Sequence, residues 1–476
     1  KRLFGYLRGC SLLLNAYAQA FSCRLSADYN LRLSSRFREA LTFITYSANL
    51  SKSSISAGCL NQNIYWDRLP ERLRSDGVHS NWLYIYAKDS QFAKLKDAFH
   101  FIEELNAASS RVGDHHFLLE ALFDIRDLAA GAMILTRFFL KSLNLKASEA
   151  LPSYKGIRIN LFHGASLFDS LGGASSARNI YFSLLFKKFF SSIPRQRDVV
   201  YLQENMDWEY LAIQYAKRSG VRRVIGFPHA AVSFWDLRYS VPYASAMVDN
   251  QASVVPVPDV IAVSGKLNRD ALEFKFKPER AQLADVEALR YMYLSSELKS
   301  GETRSSTEKR KEIVVCMLGL YFQKDTLELL SFAKDCAGLL GSQSGVKWKI
   351  KFHPLCDMRN SLAKMLGDLV VIDSRPVGKA LEGVDIVLAS GHTSAVVDAA
   401  ALGKKVVVYA CGSDLPSSPL YGTGLADFVS CASEFVKIVN RLCIGNSQSA
   451  PEKGVGSGLF NIDESLVKWS SLLHRS

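Results

Sequence analysis

The sequence predicts an α/β protein made of two Rossmann-like domains that face a central cleft. Three observations predict it. At 476 residues the chain exceeds one ordinary core. Short apolar runs alternate with helix-period segments in both halves, as parallel sheets with crossover helices require. Polar residues collect just past the carboxyl ends of those runs, where open parallel sheets bind ligands. The expected domains are residues 1–300 and 311–476, with Gly301 to Lys309 (GETRSSTEK) the most linker-like stretch.

Composition sets the class. Apolar content of 48% and charged content of 22% are those of a globular protein. The sequence shows no uncharged apolar run long enough to cross a bilayer. The chain begins at Lys1 rather than Met, and reads as a portion of a longer protein. Its nine cysteines are odd in number and form no C-x-x-C pair, so neither a disulfide framework nor a zinc site is suggested. A reducing, cytoplasmic compartment fits best. The net charge of +12 is dispersed. The clusters Lys187-Lys188, Arg195 to Arg197 and Arg222-Arg223 suit a peripheral contact with an anionic membrane face or a phosphate-bearing substrate, and equally a solvated surface. No nucleic-acid-binding module is present.

Taken in order, residues 1 to about 75 read as helical and polar-loop material, with Cys10 to Cys23 inside a helix. Trp82 to Ala87 is the first strand. Gln91 to Lys146 has helical periodicity, and the adjacent pair His115-His116 cannot share one helix face, which argues against a metal site there. Ile157 to Phe162 reads as a strand, followed by a Gly/Ser-rich loop through Ser176. Asp198 to Leu202, Arg223 to Phe227 and Asp259 to Val263 are three strands of one sheet. The second domain opens with the strand Glu312 to Gly319. Lys349 to Phe352 is a strand ending in His353-Pro354. Ile386 to Ala389, the turn Ser390-Gly391-His392-Thr393-Ser394 and the helix Ala395 to Leu402 follow, capped at Gly403, before the strand Val406 to Val408. Helices at 434–442 and 462–473 close the chain, with a flexible connection at 446–457.

Two groups of residues carry the chemistry. In the first half, Glu204 and Asp207 lie in the turn after a strand, and His229 follows the next strand. Two acids and a histidine can serve as base, acid or nucleophile, and a carboxylate sheltered by Trp208 would have a raised pKa. Helix capping is the competing account for Asp207 or Glu209. In the second half, Gly319, Lys351, His353, Pro354, Ser390, Gly391, Thr393, Ser394 and Asp398 are the expected donor-binding set. Hydroxyls and free N–H groups at a helix start favour phosphate, and Lys351 and His353 end a neighbouring strand. No Asp-x-Asp stands at a strand end, so the expected chemistry is metal-independent and needs no cofactor.

The pair His353-Pro354 and Thr393-Ser394 resembles the donor half of GT-B transferases that use cytidine nucleotides, among them sialyltransferases, Kdo transferases and CDP-glycerol polymerases. Asp398 falls where the CDP-glycerol polymerases also carry an Asp. The segments QENMDWE and GFPHAAVSFWDLRY resemble a family of bacterial surface-carbohydrate biosynthesis proteins and, distantly, the retaining Kdo transferases of capsule and O-antigen assembly. The resemblance implies transfer of a Kdo-like or other ulosonic acid from its CMP form to a lipid-linked surface glycan of the lipopolysaccharide or capsule type, at the inner face of the membrane. It also implies an amino-domain carboxylate as nucleophile, for which Glu204 and Asp207 are both candidates, and a terminal helix that crosses back to the first domain. The stereochemistry stays open. A CDP-glycerol-type polyol-phosphate transferase and a non-catalytic glycan- or nucleotide-binding subunit are the alternatives.

Overall fold

In the computed structural model the described residues are 2–24, 40–48, 50–57, 60, 63–109, 114–145, 153–154, 157–158, 160–233, 235–240, 255–275, 281–299, 312–341, 345–353, 356, 358–359, 365, 370–391, 393–410, 417–443 and 458–474. The chain divides into two compact units, the first formed by residues 1–227, 249–262 and 279–282, the second by 228–248, 263–278 and 283–476. The second unit thus takes in segments that precede residue 300. The expected linker at 301–309, the connection at 446–457 and Pro354 lie outside the described residues.

The strands of the first sheet are β1 (Leu41–Tyr46), β2 (Ser80–Ile85), β3 (His115–Leu118), β4 (Asp198–Leu202), β5 (Arg223–Phe227), β6 (Val260–Val263) and β7 (Gln282–Asp285). They lie in the order β3-β2-β1-β4-β5-β6-β7, and each pairing from β3 through β6 is parallel. The chain moves outward from β1 to β3, then returns to the other side of β1 with β4. That reversal is a topological switch point, and the crevice beyond the strand ends there is the usual ligand site of an open parallel sheet.

The second sheet repeats the plan with β8 (Ile313–Leu318), β9 (Val346–Lys351), β10 (Val370–Ile372), β11 (Ile386–Ser390), β12 (Lys405–Tyr409) and β13 (Ala426–Val429), in the order β10-β9-β8-β11-β12-β13. All its pairs are parallel. Its switch point lies between β8 and β11. Apolar alternation covers both faces, as a parallel sheet demands. Cys316 and Leu318 enter one buried cluster, while Val315 and Met317 enter the other. The α/β architecture with two parallel Rossmann-like sheets is as the sequence predicts.

Several local readings are corrected. The stretch read as loop holds β1, the strand at the switch point, with all but its last residue buried. Its Thr42 and Thr45 look polar in sequence, but Thr42 donates to Gln196 (2.8 Å) and Thr45 accepts from the Trp66 indole (3.1 Å). The Ser-rich stretch at 51–56 is a helical turn, Lys52–Ala57. His115-His116 belongs to a strand, not a helix. His116 is buried against the Tyr84 hydroxyl at 3.0 Å, and no metal-holding group occurs among the described residues. The strand expected at 157–162 is only two residues, Ile157–Arg158, paired with Ser153–Tyr154. The loop expected through Ser176 is largely helical.

The helices used below are α1 (Arg2–Arg24), α2 (Ile125–Leu143), α3 (Asn160–Gly172), α4 (Ala174–Ser192), α5 (Asp207–Arg218), α6 (Ala395–Ala401) and α7 (Val467–His474). Helix α6 ends as expected at Gly403, with φ of 69°. The terminal α7 is anchored inside the second unit. Buried Glu287 accepts from the Lys468 and Trp469 N–H groups (2.7 and 2.9 Å), satisfying donors that a helix start leaves open.

No described helix is long and apolar enough to cross a membrane.

Candidate functional site

In the first unit, β1 ends at Tyr46 and β4 runs out into Gln203-Glu204-Asn205, so both lie at the switch point. The Tyr46 hydroxyl donates to Glu204 Oε2 at 3.0 Å. The Trp208 indole in turn donates to the Tyr46 oxygen at 3.3 Å. Burial and the adjacent Glu204 hold the Tyr46 phenol well above its usual range, so it stays a donor. Glu204 is half-buried, and its carboxylate is oriented by this relay.

The turn that presents Glu204 is rigid for a separate reason. Glu209 is buried, and its Oε1 accepts from the backbone N–H groups of Glu204 (2.8 Å) and Met206 (2.9 Å). Asn205, within that turn, takes the left-handed region at φ of 57°, which Asn tolerates better than most residues. Burial pushes the Glu209 carboxyl up to about 8, against the backbone donors that lower it. The capping account therefore holds for Glu209. Asp207 lies exposed at the first residue of α5. The spacing of Glu209, three residues past Met206 at a helix start, was a signal for this role.

Glu209 gives a pH prediction. A carboxyl raised in the folded state stabilises below its unfolded value, and that contribution is lost as pH rises through about 8. Glu120, pushed by burial to about 7, has the same sign. Buried His116, held down to about 3, acts only below its ordinary range. Urea unfolding of the protein should therefore show stability falling from about pH 6.5 to 8.5. Glu209→Gln keeps the accepting oxygen but cannot ionise, and should flatten that slope. An unchanged slope would refute the assignment.

In the second unit the carboxyl ends of β9, β8 and β11 carry the predicted donor set. Lys351 is the last residue of β9; its carbonyl accepts from the Gly319 N–H at 2.9 Å, while its ammonium makes no hydrogen bond or ion pair among the described residues. Its neighbour two residues earlier, Lys349, is committed to Asp373 (2.9 Å) and the Ala380 carbonyl (2.8 Å). His353 sits edge-on to Tyr321, centroids 5.5 Å apart. Burial and the Lys351 charge lower its pKa. Its ordinary form near neutral pH is uncharged. Gly319 follows β8, and a Cβ there would meet the Phe352 Cα at 3.2 Å, so its close approach is to the neighbouring backbone. Gly391 has a similar packing reason, with Ser417 Oγ 2.8 Å from where a Cβ would stand.

Thr393 Oγ1 accepts from the Ala395 N–H at 3.3 Å, which caps α6. Ser394 occupies the cap position but makes no capping bond of its own. Two polar atoms near this turn are buried without a hydrogen-bond partner among the described residues, Ser390 Oγ and Asp398 Oδ1. Buried polar atoms in folded proteins are almost always satisfied, so each can take a partner from outside the described residues. Burial raises the Asp398 carboxyl to about 6, opposed by the Tyr293 hydroxyl bonded to it and by the charge of Arg290. His229 also belongs to the second unit and is buried. Burial and the same Arg290 hold it down to about 3, so it is a neutral imidazole at pH 7 and not a cationic acid.

Arg290 and Tyr293 carry no motif, and sequence reasoning missed them. Arg290 makes no hydrogen bond or ion pair among the described residues, yet its charge acts on both His229 and Asp398.

No protein-family model matches the chain, and no curated protein matches it. Among solved structures it is similar to UDP-GlcNAc 2-epimerase from Neisseria meningitidis bound to UDP-GlcNAc, at 11% identity over 92% of this chain and 100% of that one, with a TM-score of 0.45. It is similar to MurG from Acinetobacter baumannii at 10% identity, again over 92% and 100%, with a TM-score of 0.45. The calicheamicin glycosyltransferase CalG4 gives 12% identity over 91% and 94%, with a TM-score of 0.43. No residue role is carried over from structures this distant.

Proposed function

We propose that this chain is a GT-B-type glycosyltransferase that moves a Kdo-like or other ulosonic acid from its CMP form to a lipid-linked surface glycan. The observation that supports it best is Glu204, oriented by Tyr46 at the switch point of the first sheet. Such a carboxylate, oriented by the Tyr46 hydroxyl and half-buried at a strand end, suits either a base or a nucleophile.

On this reading the second unit binds the donor. Lys351 neutralises phosphate charge, while His353, Thr393, Ser394 and Ser390 donate hydrogen bonds to its oxygens. Asp398 and Arg290 complete the pocket wall, with Arg290 a second positive charge for an acidic ligand. In the reaction the bond from the anomeric carbon to the phosphate oxygen breaks, and CMP leaves with the electron pair. The acceptor oxygen bonds to that carbon, and its proton goes to a carboxylate. Glu204 is the first candidate for that carboxylate, and Asp207 the second.

The test is thermal stabilisation by CMP, CDP, UDP, GDP and ADP, with His353→Ala alongside. A ligand that binds only the folded state raises the midpoint. A rise with cytidine nucleotides that is lost in the variant is the expected result. Donor hydrolysis to CMP and a free ulosonic acid then distinguishes this reading from a polyol-phosphate transferase. A rise confined to UDP or GDP would overturn the CMP-donor reading.

A further inference from the structure

The basic clusters named from sequence are largely committed internally. Lys188 binds Asp124 and Asp127 (2.9 Å to the latter), and Arg222 and Arg223 both bind Asp198. Exposed positive charge is found elsewhere in the first unit, on α1 and α2. These helices run antiparallel. The Arg2 guanidinium donates to the Ser142 and Leu143 carbonyls (2.9 and 2.8 Å), the Tyr6 hydroxyl meets Thr136 Oγ1 at 2.8 Å, and a Cβ on Gly131 would stand 3.4 Å from Leu13. The register therefore brings the start of α1 beside the end of α2.

At that shared end the outward side chains are mostly large and apolar. Leu3, Phe4 and Leu7 are exposed on α1, with Phe4 at 67%. Phe138, Leu140 and Leu143 are exposed on α2. Among them lie Arg8, Arg137 and Lys141, also exposed. Helix α1 contains no acid at all, and the single acid of α2, Asp127, is held by Lys188. Leu14 and Met133 continue the apolar face along the pair.

We infer that this end of the α1–α2 pair docks on a lipid bilayer bearing anionic headgroups. Apolar side chains interleaved with cations are what an interfacial helix needs, the first entering the acyl boundary and the second pairing with phosphates. Charge argues against a second copy of the chain, because a self-complementary contact would bring Arg8, Arg137 and Lys141 against their own equivalents. The absence of any exposed acid on the two helices likewise removes the usual partners for a basic protein surface. The inference stands apart from the donor assignment.

Co-sedimentation of the purified chain with vesicles tests it. Vesicles of phosphatidylcholine with added phosphatidylglycerol should pellet the protein at low salt, and phosphatidylcholine alone should not. Reversing the charges (Arg8→Glu, Arg137→Glu, Lys141→Glu) should weaken binding by at least about 100-fold, since each cation near such a surface is worth about a factor of five. A separate variant, Leu3→Ser with Phe4→Ser and Leu7→Ser, should weaken it by at least about tenfold through lost apolar burial. All six positions are exposed, so both variants should keep the parent's thermal midpoint, and that is checked first. Failure of the parent to pellet, or unchanged binding by both folded variants, overturns the inference. So does a dimer in sedimentation equilibrium that the serine variant abolishes without any lipid binding, which would make the face an interface between copies.

Discussion

Glu204→Gln should lower transfer by about 1,000-fold while leaving donor-induced stabilisation intact, because a positioned base or nucleophile contributes on this order. The substitution is nearly isosteric. Its amide oxygen can still accept from the Tyr46 hydroxyl, which lies 3.0 Å from the carboxylate in the parent. The backbone of the turn is untouched, since Glu209 holds it through the N–H groups of Glu204 and Met206. Folding and nucleotide binding are therefore expected to survive, and only the proton or bond-forming step is lost. Tyr46→Phe is the companion variant. It removes the donor that orients Glu204, and should produce a smaller loss together with a shift in the pH profile, as expected of a positioning residue. If Glu204→Gln transfers at the parent rate and Asp207→Asn does not, the carboxylate role passes to Asp207. If both variants are fully active, the carboxylate mechanism fails.

Three central strands of the second sheet were legible because they are unbroken apolar runs ending in turn residues, whereas β10 and β13 were not read from the sequence. Ile313 to Leu318, Ile386 to Ala389 and Val406 to Val408 have no other reading, and Gly403 marks the helix end between two of them. The first switch point was not legible, because one of its two strands carries buried threonines. Thr42 and Thr45 look like surface residues until Gln196 and Trp66 are brought to them from elsewhere in the chain. That hid Tyr46, and with it the reason Glu204 is oriented. The reading of 163–176 failed on composition: glycine and serine suggest a loop, but the segment is largely α3 and the start of α4. Within the candidate site, strand-end position put forward Glu204, Lys351 and His353. It could not separate the capping role of Glu209 from a catalytic one, nor find Arg290 and Tyr293, whose relation to Asp398 exists only in three dimensions. The same limit applied to the charge clusters. Sequence marks Arg222-Arg223 as basic surface, but only the fold shows that Asp198 holds them.

That last arrangement sets the largest expected stability effect. Asp198→Ala should lower the stability of the first unit by about 3 kcal/mol, seen as a thermal midpoint lower by roughly 5–10 °C. The Asp198 side chain is completely buried at the start of β4. Its carboxylate accepts from Arg223 (3.0 and 2.9 Å) and Arg222 (3.4 and 3.1 Å), while Arg197 stands 3.5 Å away. Burial alone would raise its pKa, but the hydrogen bonds from Arg223 and Arg222 outweigh that and hold it below the usual carboxylate range. Removing the anion leaves several guanidinium groups crowded around an empty, partly buried position, which costs more than the pair itself contributes. Because those arginines retain some exposure, water can reach them, and the loss should fall at the lower end for a buried pair. The pH dependence follows in sign. A carboxylate depressed by folding stabilises above its unfolded value, and that stability is lost as pH falls through the folded one. The parent should therefore lose stability below about pH 4, with the Asp198→Ala variant less sensitive in that range. Asp198→Asn should fall between the two, keeping the shape and part of the hydrogen bonding without the charge. A midpoint for Asp198→Ala within about 1 °C of the parent's, against the expected shift, would show that the arginines find equivalent solvation without Asp198, and that the ion pair is not what holds the start of β4.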